Sequence, residues 1–380
     1  MKNIGVICEY NPFHNGHAKQ LTQIKQRGNA VCLMSGNYVQ RGEPAVIDKM
    51  VRARAAVVCG ADLVLELPVT YALRSAEGFA SGGVEVLSRL GVINGLCFGS
   101  ESGALEDIMS TAKLLLTEEF ARKLRSELAS GVSFPSARQN AIEALGGNGA
   151  LLENPNDILA VEYCKAILRQ NSTLQPMPLQ RQGSYHESVD RENPSASMLR
   201  GMADWSGFVP QKAMEIYAAA PAYRVSAGER AWLSRLRAMQ ETEFENLPFG
   251  SEGLWRKLMR ACREENTLEE IITAAKSKRY TRSRLMRMLL CAYLGISEKM
   301  LQQNAPYIRV LAMNETGRNL LHDARRCSDL PLIHAGEAAP EPVYGELERR
   351  AADLYGLFCS GEIQPPASHR KDRLIRLTHT

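Results

Sequence analysis

Two imidazoles three residues apart, His14 and His17, bracket a glycine in the run Gly5-Val6-Ile7-Cys8-Glu9-Tyr10-Asn11-Pro12-Phe13-His14-Asn15-Gly16-His17. Such a pair at the head of a helix is equipped for phosphate chemistry. The first-turn N–H groups of a helix lack internal partners and carry partial positive charge, so they can hold a triphosphate while the imidazoles donate to the same oxygens. Stabilising charge on a phosphoryl group and positioning its attacker are what adenylyl transfer requires. Zinc is a poorer reading, because no Glu or Cys stands beside the pair at metalloprotease or zinc-finger spacing. The plain alternative is two surface histidines opening an amphipathic helix. Context favours the nucleotide: the apolar run Ile4 to Cys8 before the Asn-Pro turn reads as a buried parallel strand, and Gly16 lets a ligand approach the backbone.

The elements that must position this pair follow from periodicity. Short apolar runs near 3–8, 30–35, 62–66 and 94–98 alternate with helical patterns near 16–27, 48–60 and 70–90. That alternation predicts a parallel sheet of the α/β class, with ligands beyond the carboxyl ends of its strands. His14, Ser35-Gly36 and Gly99 then converge on one crevice. Gly99 is either a strand-ending turn or a place where adenine or ribose lies on bare backbone. Residues 104–145 read as helical, and Asn156 stands before a helix reaching about residue 168, where it is a cap, a ligand contact or both. A late strand over 174–181 ends in Arg181, facing the nucleotide. Ser195, Ser197 and Arg200 in Asn193-Pro194-Ser195-Ala196-Ser197-Met198-Leu199-Arg200 offer hydroxyls and a cation for phosphate, or an ordinary capped helix. The long connection from Ser35 to Asp48 carries Gln40 and Arg41 as secondary candidates.

From about 212 onward helical patterns dominate, among them 227–236, 251–264, 268–277, 282–294 and 346–358. The expected organisation is a catalytic domain over 1–210 and a mainly helical domain over 211–380. The runs Tyr307 to Ala312 and Leu330 to Ile333 are strands or buried turns. The second half holds 26 Lys and Arg against 21 Asp and Glu, whereas the first holds 20 against 21, so the chain's net charge of +4 comes from residues 211–380. Lys276, Lys278, Arg279, Arg282, Arg284 and Arg287 crowd into one stretch, and Arg370, Lys371, Arg373 and Arg376 lie near the end. A solvated helix face accounts for such cations, and so does a nucleic-acid backbone. Nine scattered cysteines without a Cys-x-x-Cys pair read as reduced, mostly buried thiols. No apolar run is long enough for a membrane span or a signal-peptide core, so a cytoplasmic protein is expected, monomer or homodimer.

His14-Asn15-Gly16-His17 resembles the His-x-Gly-His signature of the nucleotidylyltransferase superfamily, whose Rossmann-like domains bind ATP and release pyrophosphate. Further segments are similar to the bacterial tRNA(Met) cytidine acetate ligase family: Ser35 to Ala45, Gly60 to Pro68, Phe98 to Glu101, Pro155 to Leu159, Arg181 to His186 and Tyr280 to Leu285. The resemblance covers most of the chain in the expected order, although Met198 stands where many relatives carry Thr. It implies His14 and His17 as catalytic residues. It also implies ATP contacts at Ile7, Cys8, Glu9, Tyr10, Asn11, Pro12, Phe13, His14, Asn15, Gly16, His17 and Gln20, and at Gly99, Asn156, Arg181, Ser197 and Arg200. With the charge clustering it implies tRNA contacts at Lys276, Lys278, Arg279, Arg282 and Arg284. ATP and acetate would give acetyl-adenylate and pyrophosphate, with Mg2+ on the triphosphate. N4 of the wobble cytidine of elongator tRNA(Met) would then take the acetyl group and release AMP, leaving N4-acetylcytidine. No protein-borne metal site is expected. Two other readings keep the nucleotide site: adenylyl transfer to a small phosphorylated metabolite, which the basic helical half disfavours, and a non-catalytic nucleotide- or RNA-binding adaptor, which the intact histidine pair disfavours.

Overall fold

Ile4, Val6, Ala30, Cys32 and Met34 face one side of a sheet while Val31, Leu33, Leu63 and Leu65 face the other, so strands buried on both faces lie at its centre. The computed structural model describes residues 1–180, 191, 194–277, 279–367, 369 and 372–377. The strands are β1 (Lys2–Cys8), β2 (Gly28–Ser35), β3 (Tyr38–Val39), β4 (Glu43–Pro44), β5 (Leu63–Leu67), β6 (Gly95–Ser100), β7 (Gln175–Gln180), β8 (Ile308–Met313), β9 (Leu332–His334) and β10 (Ile375–Arg376). The main sheet runs β10-β8-β5-β2-β1-β6-β7, with β9 also paired to β8 and β3–β4 forming a separate hairpin. β1 pairs in parallel with both β2 and β6, so the chain reverses its direction of travel across the sheet at β1. A crevice opens at such a switch point, beyond the carboxyl ends of the strands.

The expected α/β class and its first four strands are present, and the late strand expected over 174–181 is β7 at Gln175–Gln180. The run 70–90 is two helices, Val69–Ala72 and Ala76–Arg89, because the Ser75 side chain accepts from Gly78 N and caps the second. Residues 104–145 form three helices, restarted by caps at Thr117 and Ser133. The helix expected after Asn156 begins at Pro155 with Asn154 as its cap, so Asn156 lies inside the first turn. Arg282–Leu294 is a helix over the expected residues.

The boundary expected at residue 210 does not divide the sheet. Tyr307 to Ala312 supplies β8, which pairs antiparallel to β5, and Leu330 to Ile333 falls at β9, so the second half of the chain completes the sheet of the first. Burial explains this: β5 is buried along its whole length and needs a neighbour on its outer edge. The remaining helices pack around Trp232, Leu258, Leu289 and Phe358, a core that also takes Tyr38 and Leu73 from the first half. Among the described residues no helix is long and apolar enough to cross a membrane.

Candidate active site

β1 delivers the chain to the crevice, and a buried arginine holds the carboxyl edge there. Arg52 is fully buried and donates to the carbonyls of Ile47 at 2.8 Å, Glu9 at 2.5 Å, Ser35 at 3.1 Å and Gly36. It thereby ties the ends of β1 and β2 together. His14 then caps the helix Asn15–Lys25 with extended backbone. Its N–H donates to His17 Nδ1 at 3.3 Å, and the two rings stack with centroids 3.6 Å apart. With Nδ1 accepting, a neutral His17 carries its proton on Nε2. The Tyr10 ring, 4.8 Å from that of His17, supports it from another side.

A cavity of about 960 Å3 opens over the histidines. That volume suits a nucleotide with a second small substrate. Its walls take Ile7 to Asn11, His14, Gly16, His17 and Gln20 from the N-terminal run, and Gln40 and Arg41 from the β3–β4 turn. Gly99, Asn156, Ser197 and Arg200 close other sides. Arg200 donates to Asn11 O at 3.1 Å and to Ser197 Oγ at 3.0 Å, while Arg41 reaches Ser197 Oγ at 3.4 Å. Two guanidinium groups therefore converge on one hydroxyl beside the histidines. Asn11 is buried, with Oδ1 accepting from Val46 N, and its Nδ2 has no acceptor among the described residues. Glu9 accepts from Gln40 N at 2.7 Å; burial raises its pKa above the ordinary carboxylate value, against that hydrogen bond and the charges of Arg200, Arg52 and Arg41.

Some expected contacts stand off the cavity wall, and Asn156, which is on it, is engaged by Glu101. Phe13 is wholly buried and, with Pro12 and Asn15, lies off the cavity wall. The Asn15 amide faces away and donates to Arg191 O and Gly207 O, which pins the returning chain against the helix. Asn156 donates through Nδ2 to Glu101 Oε1 at 2.6 Å, and Asp157 N reaches Glu101 Oε2, so Glu101 neutralises that helix start. Arg181, Lys278, Arg370 and Lys371 lie outside the described residues.

The basic stretch is split by the fold. Arg282 is paired with Glu269 at 2.6 Å and also lines the cavity, as do Thr281 and Ser283. Arg284 turns inward, donating to Phe249 O at 2.7 and 3.1 Å and to Ser251 Oγ. Arg279 lies 3.8 Å from Glu252, and Lys276 is exposed. The wall built by Thr281 to Arg287 carried no nucleotide signal in sequence, because its approach depends on a contact hundreds of residues away. Gly42, at φ +83°, lies against the backbone of Met286 and Arg287 so closely that a Cβ would collide with it. Arg138 and Phe134, also on the wall, were equally silent.

The model of the HIGH Nucleotidyl Transferase family matches residues 1–370. A tRNA(Met) cytidine acetate ligase from Clostridium novyi is 36% identical over 357 residues, 87% of this chain and 89% of that protein. One from Acetivibrio thermocellus is 33% identical over 93% of this chain and 94% of its own length. The crystal structure of Thermotoga maritima TmcAL bound with alpha-thio ATP superposes with a TM-score of 0.87 at 30% identity, covering 99% of this chain and all of that one. On its sequence, its sheet and the place of its histidine pair, the chain belongs to the HIGH nucleotidyl transferases and, within them, to the tRNA(Met) cytidine acetate ligase family.

Proposed function

We infer that this chain is an ATP-dependent ligase that activates acetate as acetyl-adenylate and transfers the acetyl group to N4 of the wobble cytidine of elongator tRNA(Met). The observation that carries the reading is the locked histidine pair at a helix start, opening into a cavity that also receives Arg282 and Arg287 from the basic helical half. ATP lies with its phosphates toward His17, Arg200 and Ser197, and Asn11 Nδ2 supplies a further donor. A carboxylate oxygen of acetate attacks the α-phosphorus, the bond to the bridging oxygen breaks, and pyrophosphate leaves. His17 Nε2–H and the first-turn N–H groups offset the charge that builds on the phosphoryl oxygens. N4 of the cytidine then attacks the acyl carbon, AMP departs with the bonding pair, and the N4 proton is lost. Among the described residues no three His, Cys, Asp or Glu side chains cluster for a metal. A Mg2+ ion would come on the substrate's phosphates, with water completing its shell. Exposed Lys276 and Arg279, with Arg282 at the cavity mouth, are the proposed contacts to the tRNA backbone.

Acetate-dependent exchange of labelled pyrophosphate into ATP, followed by nucleoside mass analysis of treated tRNA(Met), tests the reading. Exchange together with N4-acetylcytidine supports it. Exchange driven only by a different acid or acceptor would keep the nucleotide site and overturn the substrate.

A further inference from the structure

Arg287 is a buried cation without an anion. It is 7% exposed, its Nε is shut off from solvent with no acceptor, and no described residue takes a hydrogen bond or a salt bridge from its guanidinium. Its Cζ lies 5.2 Å from the centre of the Phe249 ring, whose residue Arg284 fixes by donating to the Phe249 carbonyl. A lone buried charge costs several kcal/mol in desolvation, and proteins keep one where something else neutralises it. Burial pulls the Arg287 pKa down to about 10, with the Cys291 thiol opposing the shift and the nearby charge of Arg284 adding to it. Arg287 lines the cavity on the wall formed by the helix Arg282–Leu294.

We propose that Arg287 is the carboxylate anchor for the acid substrate: its guanidinium pairs with the acetate carboxylate, and the adjoining buried Met286 faces the methyl group. This rests on the ligase reading above and supplies it with the residue that binds the acid. Three features favour a small monoanion over the other anions of the reaction. The triphosphate has its donors at His17, Ser197 and Arg200, on segments remote in sequence from this helix. A guanidinium over an aromatic ring has one charge to match, and Met286, buried on the same cavity wall, offers apolar surface that suits a short hydrocarbon tail. Arg287 is buried and suits a small ion, whereas Arg282 is exposed and open to a backbone phosphate of RNA.

The test uses the full chain as wild type, Arg287→Met and Arg287→Lys. Pyrophosphate exchange is measured against acetate and ATP, overall transfer against tRNA, and thermal unfolding in sodium acetate against sodium chloride at equal ionic strength. For Arg287→Met the KM for acetate should rise roughly tenfold to a hundredfold, the worth of a charged hydrogen-bonded contact, while the KM values for ATP and tRNA stay within about twofold. Arg287→Lys should recover part of the acetate affinity. The melting temperature of Arg287→Met in chloride should equal or exceed that of wild type, since an unpaired buried charge has gone, and acetate should raise the melting temperature of wild type but not of the variant. A loss carried by ATP or by tRNA with acetate unmoved would overturn the assignment in favour of a phosphate. A lower melting temperature with every KM unchanged would make Arg287 a packing residue only. Wild type tests the parent reading separately: if no acetate-dependent exchange occurs before any substitution, the ligase reading falls and takes this anchor with it.

Discussion

The role proposed for His17 depends on what surrounds it rather than on its own chemistry alone. The His14 N–H fills its Nδ1, and the stacked His14 ring and Tyr10 hold its plane at the cavity wall. His17→Ala should therefore cut acetate-dependent pyrophosphate exchange by roughly a hundredfold or more, in line with removing a donor to developing charge, while the melting temperature moves by a few degrees at most. A collapse of the fold on this substitution would contradict the placement of the pair in a crevice. Glu9 makes a prediction of another sort. Burial holds its pKa above the ordinary 4.5, so the folded state binds the proton more tightly than the unfolded one. The stability this group contributes is complete below the unfolded value and is lost as pH rises through the folded one. Glu9→Gln cannot titrate, so the stability difference between the two proteins should shift toward the variant as pH rises from about 4 to 7, in urea titrations at matched ionic strength. A difference independent of pH would mean that the carboxylate is not desolvated.

At the scale of elements, β8 is held to β5 by a buried charge network as well as by its ladder. Arg309 on β8 lies 3.7 Å from Glu66 on β5 and 3.0 Å from Glu348, and Lys49 closes on Glu66 at 2.7 Å. Arg309→Met leaves two buried carboxylates with one lysine between them, which should lower stability by about 3 kcal/mol in chemical denaturation, whereas a loss below about 1 kcal/mol would show the network to be dispensable. Much of this level was legible in the sequence. Residues 282–294 read as a helix with their own bounds, and β1, β2, β5 and β6 stood out because continuous apolar runs mark strands buried on both faces. What stayed hidden was pairing between distant segments. Nothing local in Ile308 to Met313 says that the run lies antiparallel beside β5, and a short apolar run fits a strand or a buried turn equally. The basic stretch misled for a related reason: its cations look alike in sequence, yet Arg284 spends its donors on Phe249 O and Arg287 turns into the cavity.

At the scale of the whole molecule, the cavity lies where the two halves of the chain meet, and charge changes on the basic stretch should separate accordingly. Reversals at exposed Lys276 and Arg279 should weaken tRNA binding and flatten its salt dependence, with acetate-dependent pyrophosphate exchange unaltered. Arg282→Glu should disturb both, since this residue lines the cavity as well. Equal effects from all three would mean that the stretch acts as one surface. The helix carrying Arg282 and Arg287 is seated against the β3–β4 turn, where Gly42 touches the backbone of Met286 and Arg287 at a conformation few side chains adopt. The consequence is one of heredity. A turn and a helix that meet without a side chain between them can drift only together, so exchanging the second half of this chain for that of a relative should yield a working hybrid only when the donor's turn is carried across with its helix, and recombination within the family should be tolerated far from this junction and purged at it.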